Sequence, residues 1–291
     1  MSTERATPGD PTWAELSAPH VARYLFAADY VRGRRVLDAG CGAGYGSLLL
    51  TAAGAAQVVG IDIDAAAVAQ AQQRFPHPRV EFVVDDCETL AQAAGPWNVI
   101  CSFENIEHLP APQKFLAAAA RQLADDGVLL VSTPDRADTP PFVDGRPRNE
   151  FHEHEWHREE YLALLAPHFD HVELRVQVRS TALESRQAAV RALRQGLMWS
   201  NPLSTFLWRK LARARNGRRA WNALDGLAAP SVADYPITTS QLAPILGTTA
   251  FHVAICSAPR VTQQAPAPLI VAEFAKIPPA PAHGTFASSA T

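Results

Sequence analysis

The 291-residue chain is poor in the features that mark several protein classes. Its four cysteines, Cys41, Cys87, Cys101 and Cys256, form no CxxC pair, so they read as reduced cytoplasmic thiols and not as a disulfide framework. The amino terminus, MSTERATPGDPTWAEL, carries charges and prolines where a secretion signal needs a continuous apolar stretch. The most apolar region, Leu48 to Ile61, is broken by Thr51, Gly54 and Gln57 and runs into Asp62, too short and polar to cross a bilayer. No excess of one charge is present either: 26 basic against 29 acidic residues give a net charge of −3, which argues against binding nucleic acid through global charge. There is no internal repeat. A hydrophobic fraction of 47% with 19% charged residues places the chain among globular proteins.

Short β-branched runs alternate with alanine-rich helical stretches from about residue 18 to 178, the pattern of a doubly wound α/β sheet. Strands are expected at Arg35 to Ala39, Gln57 to Ile61, Val80 to Val84, Asn98 to Ser102, Val128 to Ser132, Val172 to Val178 and, after a long interruption, Phe251 to Cys256. Helices are expected near residues 44–54, 65–75, 112–125 and 158–168, the second capped by Asp64. The interruption, 181–248, reads as a helical lid or substrate subdomain with Gln187 to Leu197 and Thr205 to Ala214 as amphipathic segments. Residues 1–17 are expected to be flexible, and the Ala, Pro and Ser-rich tail 258–291 to be disordered.

The strongest chemical signal is Val36-Leu37-Asp38-Ala39-Gly40-Cys41-Gly42-Ala43-Gly44-Tyr45-Gly46, an apolar strand ending in a glycine turn that enters a helix. Such a turn lets a ligand approach backbone closely at the switch point of the sheet. A dinucleotide fingerprint, G-x-G-x-x-G, is not met, because the third glycine falls at Gly44 and Tyr45 takes the next glycine's place. Asp38 suits a ligand bearing an ammonium group better than a pyrophosphate.

These residues resemble the class I S-adenosylmethionine-dependent methyltransferases, and further segments continue the match in order. Val58 to Asp64 resembles the family's second strand, whose terminal acid, here Asp62, holds the ribose hydroxyls beside Ile63. Val80 to Leu90 resembles the adenine-edge segment, implying Asp86 and the Cys87 backbone, with Asp86 chosen over adjacent Asp85 on spacing alone. Ile100 to Leu109 resembles the segment bordering the sulfonium and acceptor, implying Ser102. Gly127 to Pro134 resembles the fifth strand, and 149–161 a following loop in which His152 and Glu155 match the family's histidine and acid. The resemblance implies a Rossmann-like, mostly parallel seven-stranded sheet at 18–180 and 249–257, with the helical insert before its last strand. It also implies S-adenosylmethionine as cofactor, with Asp38, Gly40, Gly42, Gly44, Asp62, Ile63, Asp86, Cys87 and Ser102 around it.

His108 stands where a base could reach an acceptor hydroxyl, its alternative being a surface histidine that caps a turn. His152 and Glu155 complete the candidate catalytic set. The histidines of Phe151-His152-Glu153-His154-Glu155-Trp156-His157 match no common zinc spacing, so no metal site is assigned and the segment reads as a loop over the active site. Cys41 and Cys87 read as small apolar fillers. From Ser185 to Ala220 nine basic residues occur with no acidic one, a composition suited to an anionic membrane surface or phosphorylated substrate, or to a solvated helical face. The expected reaction is methyl transfer to an oxygen of a small molecule or glycan by a cytoplasmic enzyme, peripheral to the membrane if the basic segment binds lipid. The competing readings are a nucleic-acid methyltransferase, against which no base-flipping Asn-Pro-Pro-Tyr motif is found, and a non-catalytic binding module.

Overall fold

The computed structural model describes residues 13–139, 142–189, 230–239 and 241–257. Helix α1 (Trp13–Val31) leads into β1 (Arg35–Ala39), α2 (Tyr45–Ala52), β2 (Gln57–Asp62), α3 (Ala65–Arg74) and β3 (Val80–Val84). Then follow β4 (Trp97–Phe103), a 3₁₀ turn at Ile106–His108, α4 (Pro112–Gln122), β5 (Leu123–Pro134), α5 (Arg158–Leu165) and β6 (His171–Ser180). Residues 181–189 are helical, and the chain closes with β7 (Ile237–Thr239), a one-turn helix at Ala243–Leu246 and β8 (Gly247–Ser257).

One sheet results, in the order β3-β2-β1-β4-β5-β8-β6-β7. Strands β1 to β5 pair in parallel, and β8 is inserted antiparallel between β5 and β6. All seven expected strands form, with ends shifted by a few residues. The sheet nevertheless has eight strands, because Ile237–Thr239 adds an antiparallel edge to β6. Three residues without a strand-length apolar pattern carry too little period-2 signal to be read from sequence. The 181–248 insert is accordingly not wholly helical, and the last strand opens at Gly247. Helix α1 starts at Trp13, inside the segment expected to be flexible. Residues 190–229, which hold Arg191, Arg194 and the basic residues from Arg209 to Arg219, lie outside the described residues, as do 1–12 and the tail 258–291. Arg186 is described, and it is ion-paired to Asp234 at 2.7 Å.

Strand alternation divides the core. Val36, Val58, Val99, Cys101, Val128 and Leu130 face α1, α2 and α3, where Val31, Leu50, Val68 and Ala71 pack on them. Leu37, Val59, Ile61, Ile100, Leu129 and Val131 face the opposite layer, with Phe115, Leu116, Tyr161 and Leu165. Helices on both faces bury central strands on both sides, which is why they read as continuous apolar runs. The strand order reverses between β1 and β4, so the loops leaving their carboxyl ends diverge and open a crevice there.

Candidate active site

The crevice has a volume of about 580 Å³, within the range of small-molecule sites. Its floor is the glycine turn. Gly40 and Gly42 adopt φ of +78° and +52°, a left-handed conformation that glycine takes without steric cost. A side chain on Gly40 would strike Asn105 at 2.6 Å, whereas Gly42 has nothing within 4 Å of a Cβ and leaves open room for a ligand. Asp62 ends β2 and is 6% exposed. Its two oxygens accept from Gly42 N (3.0 Å) and Asp64 N (2.9 Å), tying the acid to the glycine turn. Asp64 caps α3 as expected, receiving Ala66 N at 2.8 Å. Ile63, 70% exposed, lines the rim as an apolar face.

The two adjacent acids differ in their surroundings. Asp85 is buried and accepts from Asp86 N, Ala91 N, Gln92 N and Ala93 N, so it is spent on holding its own turn. Asp86 lines the crevice next to Cys87. Burial pushes the Cys87 thiol up to about 12 and that of Cys41 well above its ordinary range, which keeps both protonated at neutral pH.

Four expected site residues stand behind the wall instead of on it. Asp38 shares the sheet face of Val36, which aims it at α1 and α2. There it accepts from Ser47 Oγ (2.7 Å) and Tyr24 Oη (3.1 Å) while 1% exposed. Burial raises its carboxyl to about 6, opposed by those two hydrogen bonds. Gly44 caps α2 at φ +83°, and a Cβ there would sit 2.6 Å from the Ala71 Cβ and 2.9 Å from the Phe82 ring, so packing demands glycine. Ser102 is fully buried and accepts from Asn105 Nδ2 at 3.0 Å; Phe103 and Glu104 take its place on the lining. Glu155 is 9% exposed and acts through His152, as described next.

At the far end of the crevice the loop after β4 meets the loop before α5. The His108 and His152 rings lie edge to face, 5.1 Å between centroids, and both line the cavity. His108 Nδ1 is 2.7 Å from the Phe151 carbonyl. A carbonyl can only accept, so Nδ1 carries the proton and Nε2 the lone pair. His152 Nδ1 donates to Glu155 Oε1 (2.9 Å), and its Nε2 accepts from Asn149 Nδ2 (3.0 Å). Glu155 in turn accepts from Thr139 Oγ1 at 2.6 Å. The other two histidines of the loop diverge: His154 stacks on Trp156, and His157 caps α5 with Glu160 in a reciprocal capping box.

Three acids or bases near this end were not legible as site residues. Glu104 lines the cavity at a left-handed φ of +50°, held by Arg23 and by His20 Nε2 at 3.1 Å, both from α1. Glu107 is fully buried, and burial pushes its carboxyl up to about 7. His20 reaches the cavity only because α1 packs across the mouth, and no sequence motif marks that docking.

Residues 14–186, more than half of the chain, match the profile of a family described as a methyltransferase domain. The chain belongs to this family. A protein of Mycobacterium tuberculosis named a probable S-adenosylmethionine-dependent methyltransferase is 38% identical over 146 residues, which are 50% of this chain and 52% of the relative. One from Mycolicibacterium smegmatis, with a similar name, is 36% identical over 165 residues, 57% of this chain and 63% of its own. This methyltransferase thus spans between half and two thirds of the length of those relatives. The ubiquinone biosynthesis O-methyltransferase of Aromatoleum aromaticum is 36% identical over 107 residues, 36% of this chain and 45% of its own. Among solved structures, the cyclase SpnF superposes with a TM-score of 0.53 at 19% identity over 89% of both chains, a likeness of fold alone. S-adenosylmethionine is the cofactor that the family and these relatives indicate. The residues present fit it: an open glycine floor at Gly42, an acid at the end of β2, the exposed face of Ile63, and Asp86 beside the buried Cys87 thiol. Among the described residues no helix is long and apolar enough to cross a membrane.

Proposed function

We propose that this methyltransferase alkylates a hydroxyl oxygen of a small molecule or glycan. The observation that carries the reading is the polar end of the crevice, where His108, its Nδ1 held against the Phe151 carbonyl, lines the cavity beside His152. A hydroxyl is too weak a nucleophile unless its proton is removed as the new bond forms, and an imidazole is a side chain suited to taking it. S-adenosylmethionine, when bound, supplies an electrophilic methyl group, so the protein's share is alignment and proton removal. Asp62 and the glycine turn fix one reactant, and the His108 and His152 end fixes the other. Glu155 keeps His152 in its Nδ1-protonated form, and Phe103 and Tyr24 close the crevice with apolar surface. The likeness to an O-methyltransferase of ubiquinone biosynthesis supports oxygen as the acceptor atom.

The test is a screen of phenols, sugars and hydroxylated lipids with methyl-deuterated S-adenosylmethionine, read by mass spectrometry. A deuterated methyl ether in the product supports the reading. Transfer to amines or thiols only would overturn the choice of oxygen while leaving the cofactor assignment standing.

A further inference from the structure

The two histidines of the polar end do not stand alone. One ligand-capable atom from each of Glu107, His108 and His152 lies within 4.8 Å of the other two. Glu107 is fully buried, and neither of its carboxylate oxygens makes a hydrogen bond of full geometry, the Thr133 hydroxyl and the charges of Arg23 and His152 being the groups that favour its ionised form. An isolated buried carboxylate costs several kcal/mol in order of magnitude, so buried charges are paired or coordinate metals. The nearby Arg23 guanidinium is directed elsewhere, to Glu104 and to Gln177.

The surroundings of the two histidines point the same way. His108 donates Nδ1–H to a backbone carbonyl, and His152 donates Nδ1–H to the Glu155 carboxylate. Those are the two supports that orient metal-binding imidazoles: each fixes the ring and leaves Nε2 as the coordinating atom. Glu155 is itself anchored by Thr139, so the support extends one layer further. Asn149 Nδ2, now 3.0 Å from His152 Nε2, is the group a cation would displace. Metal–ligand bonds of about 2.1 Å place tetrahedral ligand atoms about 3.4 Å apart, so the three side chains need to close in by at most about 1.4 Å.

We propose that Glu107, His108 and His152 bind one divalent first-row transition-metal cation at the acceptor end of the crevice, with Glu155 as a positioning residue for His152. Two imidazoles and one carboxylate select such a cation over magnesium or calcium, which prefer oxygen ligands throughout. Three protein ligands leave a position open to the crevice, where an acceptor oxygen would become more acidic. The idea deepens the O-methylation reading by changing what activates the hydroxyl: with its Nε2 on the cation His108 does not take the proton, the cation acidifies the hydroxyl and the proton passes to solvent. It rests on that reading only for its role in catalysis.

The full chain, stripped by dialysis against a chelator, is titrated with zinc(II) and separately with manganese(II) by calorimetry, and loaded with cobalt(II) for its visible spectrum. One equivalent of cation is expected, with cobalt bands typical of nitrogen and oxygen ligands. Glu107→Gln and His152→Ala should each weaken binding at least tenfold, and Glu155→Gln by about 10- to 100-fold. S-adenosylmethionine affinity, measured on the same samples, reports whether each variant is folded. Absence of stoichiometric binding, or binding that folded Glu107→Gln and His152→Ala variants both retain, overturns the proposal. Full turnover of a hydroxyl acceptor in excess chelator would remove the cation's role and leave the methyl-transfer reading intact.

Discussion

Asp38 offers the sharpest test of the buried wall behind the crevice. Its carboxyl is 1% exposed and raised from 3.8 to about 6, chiefly by burial. At about 1.4 kcal/mol for each tenfold, ionising it in the folded protein costs about 3 kcal/mol. The sign follows from proton binding. Between pH 4 and 6 the folded chain keeps a proton that the unfolded chain has lost, so stability falls as pH rises through this window and the loss is complete above about 6. Asp38→Asn removes the titration. The amide still accepts from one of Ser47 and Tyr24, and the imperfect second contact costs about 1 kcal/mol at every pH. The variant should therefore be less stable than the wild type by about 1 kcal/mol at pH 4 and more stable by about 2 kcal/mol at pH 7. Denaturant unfolding of both proteins across that range measures the difference directly. A difference that does not change with pH would refute a buried, proton-shifted Asp38. Because Asp38 does not line the crevice, S-adenosylmethionine affinity should change less than threefold; a tenfold loss would restore the carboxylate to the ligand's ammonium.

Asp62→Ala removes an acid that also anchors Gly42, and loss of a charged hydrogen bond worth about 1.5–3 kcal/mol should weaken S-adenosylmethionine at least tenfold by calorimetry. Gly44→Ala forces a left-handed alanine against Ala71 and Phe82, and should lower stability by about 2 kcal/mol or more in a thermal melt. His108→Ala should slow turnover by about 10²- to 10⁴-fold with cofactor affinity unchanged, and unaltered turnover would remove His108 from catalysis. If the basic segment 185–220 meets an anionic membrane, vesicles containing anionic lipid will pellet the protein and high salt will release it; pelleting that ignores salt refutes an electrostatic contact.

Much was written into the chain locally. The apolar strands, the glycine turn, the terminal acid of β2 and the Asp64 cap each depend on neighbours a few residues away, so the glycine-turn end of the crevice and the family were readable from sequence. The edge strand β7 was not, because three residues show no period. Helix α1 was missed for a different reason: what defines it is its docking across β4, where Arg23 meets Glu104 and His20 reaches the cavity. Strand alternation turned Asp38 away from the crevice lining, and only the packed helices show that the face it joined is closed. Spacing alone separated Asp86 from Asp85; the fold adds that four backbone donors hold Asp85 while Asp86 lines the crevice. The loop histidines were visible, and the sequence grouped His152 with His108 and Glu155, but the buried Glu107 between them was not legible. His154 and His157 turn to a stack and a helix cap, while His152 crosses to His108 and Glu107 from another strand's loop. Sequence thus determined what each segment becomes, since propensity, capping and alternation act over a few residues. The tertiary structure decided which side chains share a space, because long-range packing alone brings the two loops together.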